Sequence, residues 1–391
     1  MDRITKDRLI QDYKNLFFDN FQIKPDIASI APGRVNIIGE HTDYNFGLAM
    51  PIAINKWIVS LLSERSDNKV YIYSVNYNKR ISFNLNDLNN SNELWEKYVK
   101  STIHVISKKY NFNIGFNILI GGNIPIGFGM SSSAALEVSI VSAILYKCFN
   151  KYDKHEILKI CNEVETKILG IKSGMLDQYA SIFSIDKKFL LIDFNSITHE
   201  YFNSNIKKSS WLLVNSMVSR DLINSEYNIR VSECKEGLDL VNKSTKKNIS
   251  LSALTFNDIE VIKNNKKLYN RLLHVYYENQ RVKKMKEEIL NGNLNNIGEL
   301  LLESHYSLSK NYEVSCDEID FIISISKKHP GFIGGRIMGG GFGGCTINLV
   351  KDNLKEDFIF FVKNQFYNEY KTGIEVEEFS FSDGSYILTN L

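Results

Sequence analysis

The 391-residue chain reads as an α+β protein of two lobes. Three observations predict this. Apolar periods of 3.6 and 2 residues are intermixed along the chain. They do not follow the regular βα succession of a doubly wound sheet. The balance shifts toward helix near residue 195, which places the lobe boundary between 1–194 and 195–391. The length favours two or three domains, and 43% hydrophobic residues suffice for sizeable cores.

The elements follow in order. Leu9, Tyr13, Leu16 and Phe17 mark one face of an N-terminal helix. Strand-like runs lie near 27–30, 57–62, 70–75 and 116–120, and a helix with Trp95, Val99, Ile103 and Ile106 on one face precedes the last. Residues 134–148 are apolar nearly all round, which predicts a deeply buried helix. Further helices are expected at about 155–169 and from 174–183, with strands at 189–193 and 211–215. The stretch 225–330 is mainly helical, and strands return at 346–350 and near the C-terminus. No internal repeat or long low-complexity linker interrupts the chain.

Lys and Arg number 47 against 45 Asp and Glu, so the net charge of +2 gives no reason to expect nucleic acid or an anionic membrane as partner. Five cysteines, at 148, 161, 234, 316 and 345, are odd in number and lack metal-ligand spacing; they read as reduced residues of a cytoplasmic protein. The first residues form a mixed-charge amphipathic segment unlike a signal peptide, and no uninterrupted apolar run of membrane-spanning length occurs.

Three motifs carry chemistry. Residues 125–135 contain Gly127, Phe128, Gly129, Met130, Ser131, Ser132 and Ser133 between a strand and the buried helix. The glycines permit close backbone approach. The serines sit at a helix N-terminus, whose free N–H groups and positive dipole suit a phosphate. A Ser N-cap after an ordinary turn is the plainer reading, but three adjacent serines exceed what a cap needs. No Gly-Lys-Ser/Thr follows, so this is not a Walker A loop. The second motif, 31–45, gathers Arg34, Glu40, His41, Thr42 and Asp43 behind an apolar strand. Such carboxylates and imidazole suit sugar hydroxyls, and Arg suits developing negative charge. A polar surface loop with a salt bridge explains the same residues equally well. The third holds Gly339, Gly340, Gly341, Gly343 and Gly344. Phe342 and the apolar flanks argue for a sharply bent backbone against a flexible linker.

Together and in this order, the motifs resemble the signatures of the GHMP small-molecule kinases, and residues 34–45 resemble that of the galactokinases within them. Gly174 to Gln178, Ser225 to Arg230 and Tyr312 to Ser315 agree, so the resemblance spans about residues 20–350. It implies an S5-like N-terminal lobe, a ferredoxin-like C-terminal lobe and an active site in the cleft between them. It implies ATP- and Mg²⁺-dependent phosphorylation of galactose at O1. By resemblance Asp177 is the catalytic aspartate and Arg34 its partner, while Glu40, His41, Asp43 and Tyr227 contact sugar, with Thr42 in the same run. Gly127 to Ser133 would hold the triphosphate, Ser133 and Glu165 the Mg²⁺, and Ser74 and Trp95 would lie near adenine. The physics is consistent: Asp177 can accept or orient the hydroxyl proton while Arg34 stabilises charge. A structural salt bridge is the competing reading of that pair, and Glu165 has no independent support. His41 serves equally as a loop cap.

Departures from the galactokinase pattern are Met130 for Leu, Asn55 for Asp, Ser173 for Cys and Ser219 for a basic residue, with Asp221 following. A kinase for N-acetylgalactosamine and a non-catalytic galactose sensor are the alternatives. A monomer without membrane or nucleic-acid partners is expected.

Overall fold

The computed structural model describes residues 5–85, 91, 93–125, 127–218, 223–389 and 391, with backbone only for 223–225. The first lobe runs α1 (Lys6–Phe21), β1 (Ile27–Asn36), β2 (Leu48–Ala49), β3 (Pro51–Arg65), β4 (Lys69–Ser74), β5 (Lys79–Asn84), α2 (Leu94–Tyr110), β6 (Gly115–Gly122), α3 (Ser132–Phe149), α4 (Lys154–Glu163), α5 (Leu176–Phe183), β7 (Lys188–Asp193) and β8 (Thr198–Asn203). The second continues β9 (Ser209–Asn215), α6 (Ile223–Thr245), α7 (Phe256–Glu260), α8 (Lys266–Asn291), α9 (Leu294–Tyr306), α10 (Asp317–Ser326), β10 (Phe332–Met338), β11 (Cys345–Lys351), α11 (Lys355–Tyr370), β12 (Glu375–Glu378) and β13 (Tyr386–Thr389).

The first lobe is built on a six-stranded sheet ordered β13-β1-β3-β6-β4-β5. Leu9, Ile10, Tyr13 and Phe17 of α1 cover one face against Ala28, Ile30, Val59 and Leu61. The other face packs on α2, α3 and α5, so every residue of β1 is buried. Helix α3 is long and apolar enough to cross a membrane, but 67% of it is buried inside the protein, as its all-round apolar pattern predicts. Its fully buried residues Val138, Val141 and Ile144 belong to the main core.

The β1–β3 register slips between Pro32 and Arg34. A Cβ on the intervening Gly33 would lie 2.7 Å from the Met130 carbonyl oxygen, so only glycine lets β1 approach the 127–133 loop this closely. The Arg34 N–H then donates to that carbonyl at 3.1 Å, fixing the arginine beside the loop.

The second lobe has a four-stranded sheet ordered β10-β11-β9-β12, with α10 and α11 packed on one face through Ile322, Ile325, Phe358, Val362 and Phe366. Helix α9 packs on β10 of this sheet, and α8 touches β2 of the first lobe.

Two expectations need correction. The division at 194/195 cuts the β7–β8 hairpin, and the C-terminal strand β13 pairs with β1, so the end of the chain returns to the first sheet. Composition carries no trace of a pairing between residues this distant. Helix α11 was not anticipated, because its run of Phe358, Ile359, Phe360 and Phe361 imitates a strand. The burial of Phe358, Val362 and Phe366 at four-residue spacing selects the helix.

Candidate active site

Two adjoining cavities meet at Tyr98. The first, about 170 Å³, is lined by residues of the second and third motifs and of the 165–178 stretch, among them Arg34, Glu40, Asp43, Asp177, Tyr227 and Gly340. The second, about 140 Å³, is lined by Ser74, Trp95, Ser132 and Ser133 among others.

Asp177 sits in the first turn of α5, and the buried Arg34 Nε and Nη2 meet its Oδ1 at 2.7 and 2.6 Å. Arg34 Nη1 donates to the Gly129 carbonyl at 2.6 Å, and the Ser131 hydroxyl donates to Asp177 Oδ2. One arginine and one serine thus tie Asp177 to the glycine–serine loop. In that loop Gly127, Gly129 and Ser131 take positive φ values of 85°, 62° and 55°. Ser131 does not cap α3 with its side chain, so the first turn keeps amide donors for an anion. Phe128 and Met130 point the other way, into the main core, and contribute backbone only. Their neighbour Ile126 lies outside the described residues.

The turn Asp43–Asn45 presents the second motif to the first cavity. Asp43 accepts from the backbone N–H groups of Tyr44 and Leu176; burial, and then the Asp177 charge, push its carboxyl up to about 7. A Cβ on Gly174 would lie 2.0 Å from Asp43 Oδ2, so glycine at 174 makes the seat for this carboxylate. His41 is buried; burial, with His274 and Arg230 nearby, holds its imidazole well below its usual value. Its Nδ1 meets the Tyr44 hydroxyl at 2.8 Å, and its Nε2 has no partner. Such a buried, unpaired ring nitrogen in a cavity wall suits a hydroxyl of a ligand. The Tyr227 ring packs 5.4 Å from that of His41.

Glu40 is more constrained than expected. Its Oε2 accepts from Asn36 at 2.6 Å and from the fully buried Arg336 at 2.8 Å, and its Oε1 accepts from the Gly339 N–H at 2.6 Å. Three of about four acceptor positions are filled, leaving one toward the cavity. Thr42, expected with the sugar contacts, does not line the cavity. Its hydroxyl lies 2.8 and 2.7 Å from the Gly39 and Leu48 carbonyls, so it closes the turn instead. The third motif arches over the same cavity through Gly339 and Gly340.

Glu165 also lines the first cavity. Burial raises its carboxyl to about 7 against a hydrogen bond from Ser173. Ser133 lies on the neighbouring wall and bonds to Tyr98. Beside it, Trp95 stacks on Tyr77 with centroids 5.4 Å apart and planes within 11°. Among the described residues no group of three or more His, Cys, Asp or Glu is arranged to hold a metal. Asn55 pairs with Ser380, away from both cavities, while Ser219 and Asp221 lie outside the described residues.

Sequence reasoning missed Arg336, Glu137 and Glu278. Arg336 donates to the carbonyls of Ile37 at 2.9 Å and Asn36 at 2.5 Å besides Glu40. A lone Arg between Gly335 and Ile337 in an apolar strand was the available signal. Glu137 is fully buried behind Gln178, and burial, then Glu165, pushes its carboxyl well above the usual range. Its position on an otherwise apolar helix marked it.

Comparison with known proteins identifies the family. The family model for the galactokinase galactose-binding signature matches residues 15–64. Those for the GHMP kinase N-terminal and C-terminal domains match 97–184 and 285–368. A galactokinase of Thermosipho africanus is 37% identical over 354 residues, covering 90% of this chain and 97% of the relative. One of Clostridium tetani is also 37% identical, covering 91% and 92%. The crystal structure of Lactococcus lactis galactokinase complexed with galactose superposes with a TM-score of 0.89 at 33% identity, covering 97% of this chain and 99% of that one. A Methanococcus jannaschii mevalonate kinase, at 20% identity and a TM-score of 0.64 over 91% and 98%, shares the fold. The chain belongs to the galactokinase family of the GHMP kinases.

Proposed function

We propose that Arg34 and Asp177, which line the first cavity, carry out phosphoryl transfer from ATP to galactose. The chain is a sugar kinase: it transfers the γ-phosphate of ATP to O1 of galactose. The observation that carries the residue assignment is the bonding of Asp177 to both Arg34 and Ser131, which joins the sugar-side cavity to the glycine–serine loop. Galactose occupies the first cavity with hydroxyls on Asp43, His41 Nε2, Tyr227 and the remaining acceptor site of Glu40. The triphosphate lies along Gly127 to Ser133 and the N-terminus of α3, and the base lies beside Ser74 and Trp95. O1 attacks the γ-phosphorus, its proton passes toward the Asp177 carboxylate, and ADP departs. Arg34 stabilises the charge spread over the transferring group.

Magnesium fits this site. Glu40 is paired to Arg336; Asp43, Glu165 and Asp177 share one cavity with Arg34 alone, an excess of acid that a divalent cation relieves. Ser133 and Glu165 would hold the ion, with phosphate and water supplying its other oxygens. Bound there, it would neutralise charge on the phosphate oxygens. We read the enzyme as a cytoplasmic monomer, a reading supported by the lack of any disulfide among its five cysteines.

The test is a panel of galactose, glucose and N-acetylgalactosamine with ATP and Mg²⁺, read by ADP release and phosphorus NMR. Galactose should be strongly preferred and yield an anomeric phosphate. A 6-phosphate, or equal kcat/KM for glucose, would refute the assignment. Galactose binding without turnover would indicate a sensor.

A further inference from the structure

The sugar-binding run of the first lobe is held from behind by a buried carboxylate of the second. Gly39, with φ of 94°, and His41, with φ of 61°, turn the backbone so that consecutive N–H groups face inward. Both point at one atom: Gly39 N–H donates to Glu278 Oε1 at 3.0 Å and Glu40 N–H at 3.3 Å. Converging amides of this kind form an anion nest. Only glycine serves at 39, where a Cβ would lie 2.5 Å from the Leu48 carbonyl oxygen.

Glu278 is fully buried on α8. Its Oε1 also accepts from the Ser304 hydroxyl at 2.7 Å, and its Oε2 accepts from Arg281 Nε at 2.7 Å. Burial alone would raise this carboxyl; Arg281, His274 and Arg336 outweigh it and hold it at about 2. One turn earlier on α8, burial lowers His274 to about 4, so its ring is neutral at pH 7. Its Nδ1 meets the Ser307 hydroxyl at 2.9 Å, and its Nε2 meets the Glu40 carbonyl at 3.1 Å. Helix α8 therefore holds the Glu40 residue by its N–H and its C=O, while Arg336 and Gly339 hold its side chain.

We propose that Glu278 is a positioning residue for the sugar site: through the Gly39 and Glu40 amides it sets where Glu40, His41 and Asp43 present their polar atoms, and hence galactose affinity. This rests on the reading of the first cavity as the sugar site. The effect should be confined to the sugar side, because Glu278 makes no hydrogen bond to the 127–133 loop. Energetically, the nest needs an acceptor on Oε1 and Arg281 needs one on Oε2. An amide offers one acceptor and one donor, so Glu278→Gln sets a donor against donors on one side or the other.

The test is steady-state kinetics of Glu278→Gln beside the wild type, with galactose and ATP varied separately and galactose binding measured by calorimetry without ATP. The expected result is a KM for galactose raised at least about tenfold, with weaker galactose binding and KM for ATP within about twofold. A merely structural role would lower the folded fraction, reducing apparent kcat and leaving both KM values in place. That outcome, or equal rises in both KM values, overturns the proposal. Should Glu278→Gln not fold, Ser304→Ala decides: it removes one donor to Oε1 and should raise KM for galactose about two- to fivefold alone. An unchanged KM there also overturns the proposal. Absent galactose turnover by the wild type would instead refute the sugar reading itself.

Discussion

Gly174→Ala perturbs the site at a single contact. The backbone at 174 lies outside the left-handed region, so alanine is not excluded by conformation. Space is the obstacle: the new methyl would stand 2.0 Å from Asp43 Oδ2, 2.3 Å from its Cγ and 2.9 Å from its Cβ. To restore contact near 3 Å the carboxylate must retreat by about 1 Å, since the turn Asp43–Asn45 is pinned by Thr42 and Asn45 bonds and cannot follow freely. A carboxylate displaced that far loses the bonds to galactose proposed for it. Above pH 7, where Asp43 is ionised, one bond from a hydroxyl to it contributes about 1.5–3 kcal/mol, which corresponds to roughly a 10- to 150-fold loss in kcat/KM for galactose. KM for ATP should stay within about twofold, because the triphosphate loop is not displaced. A double-mutant cycle with Asp43→Ala isolates the cause: once Asp43 is truncated, Gly174→Ala should cost little more. Wild-type kcat/KM for galactose in Gly174→Ala, or full additivity in the cycle, would refute the assignment of Asp43 to the sugar and of Gly174 as its seat.

Asp177→Asn is nearly isosteric and keeps one acceptor for Arg34, so it should fold normally and lose about 10²–10⁴-fold in kcat; near-native kcat would remove Asp177 from the chemistry. Asp43→Asn should alter the pH dependence of stability in the sugar-free protein. The folded-state value of Asp43 is raised from 3.8 to about 7, so the native state holds the proton longer than the unfolded chain does. Its cost is therefore absent below pH 4, grows between about pH 4 and 7, and persists above. With about 1.4 kcal/mol per unit this reaches at most ~4 kcal/mol, so Asp43→Asn should gain stability relative to wild type between pH 5 and pH 8 in urea unfolding. A difference independent of pH would show that Asp43 is not held in its neutral form.

Legibility from sequence followed the range of the interactions. The strand–loop–helix around 127–133, the buried α3 and the crowded polar run 34–43 each follow from residues adjacent in the chain, because periodicity, backbone freedom and helix-end electrostatics are short-range properties. Even the assignment of Phe128 and Met130 as loop residues needed the fold to show that only their backbone faces the cavity, because an apolar side chain beside glycines reads the same in either orientation.

Residue chemistry and local spacing thus marked the groups proposed to meet a sugar and a phosphate: Arg34, Glu40, His41, Asp43 and the 127–133 loop. Tertiary structure alone decided how they are held. Glu278 reaches Gly39 across 239 positions, and Arg336 reaches Glu40 across 296. Thr42 was diverted from the site to the turn by two carbonyls, and β13 was returned to the first sheet. A buried charge declares itself in sequence only as an acid or base among apolar residues. Its partner is selected by which surfaces the completed fold presses together, since the desolvation cost is met only where donors and acceptors converge in space.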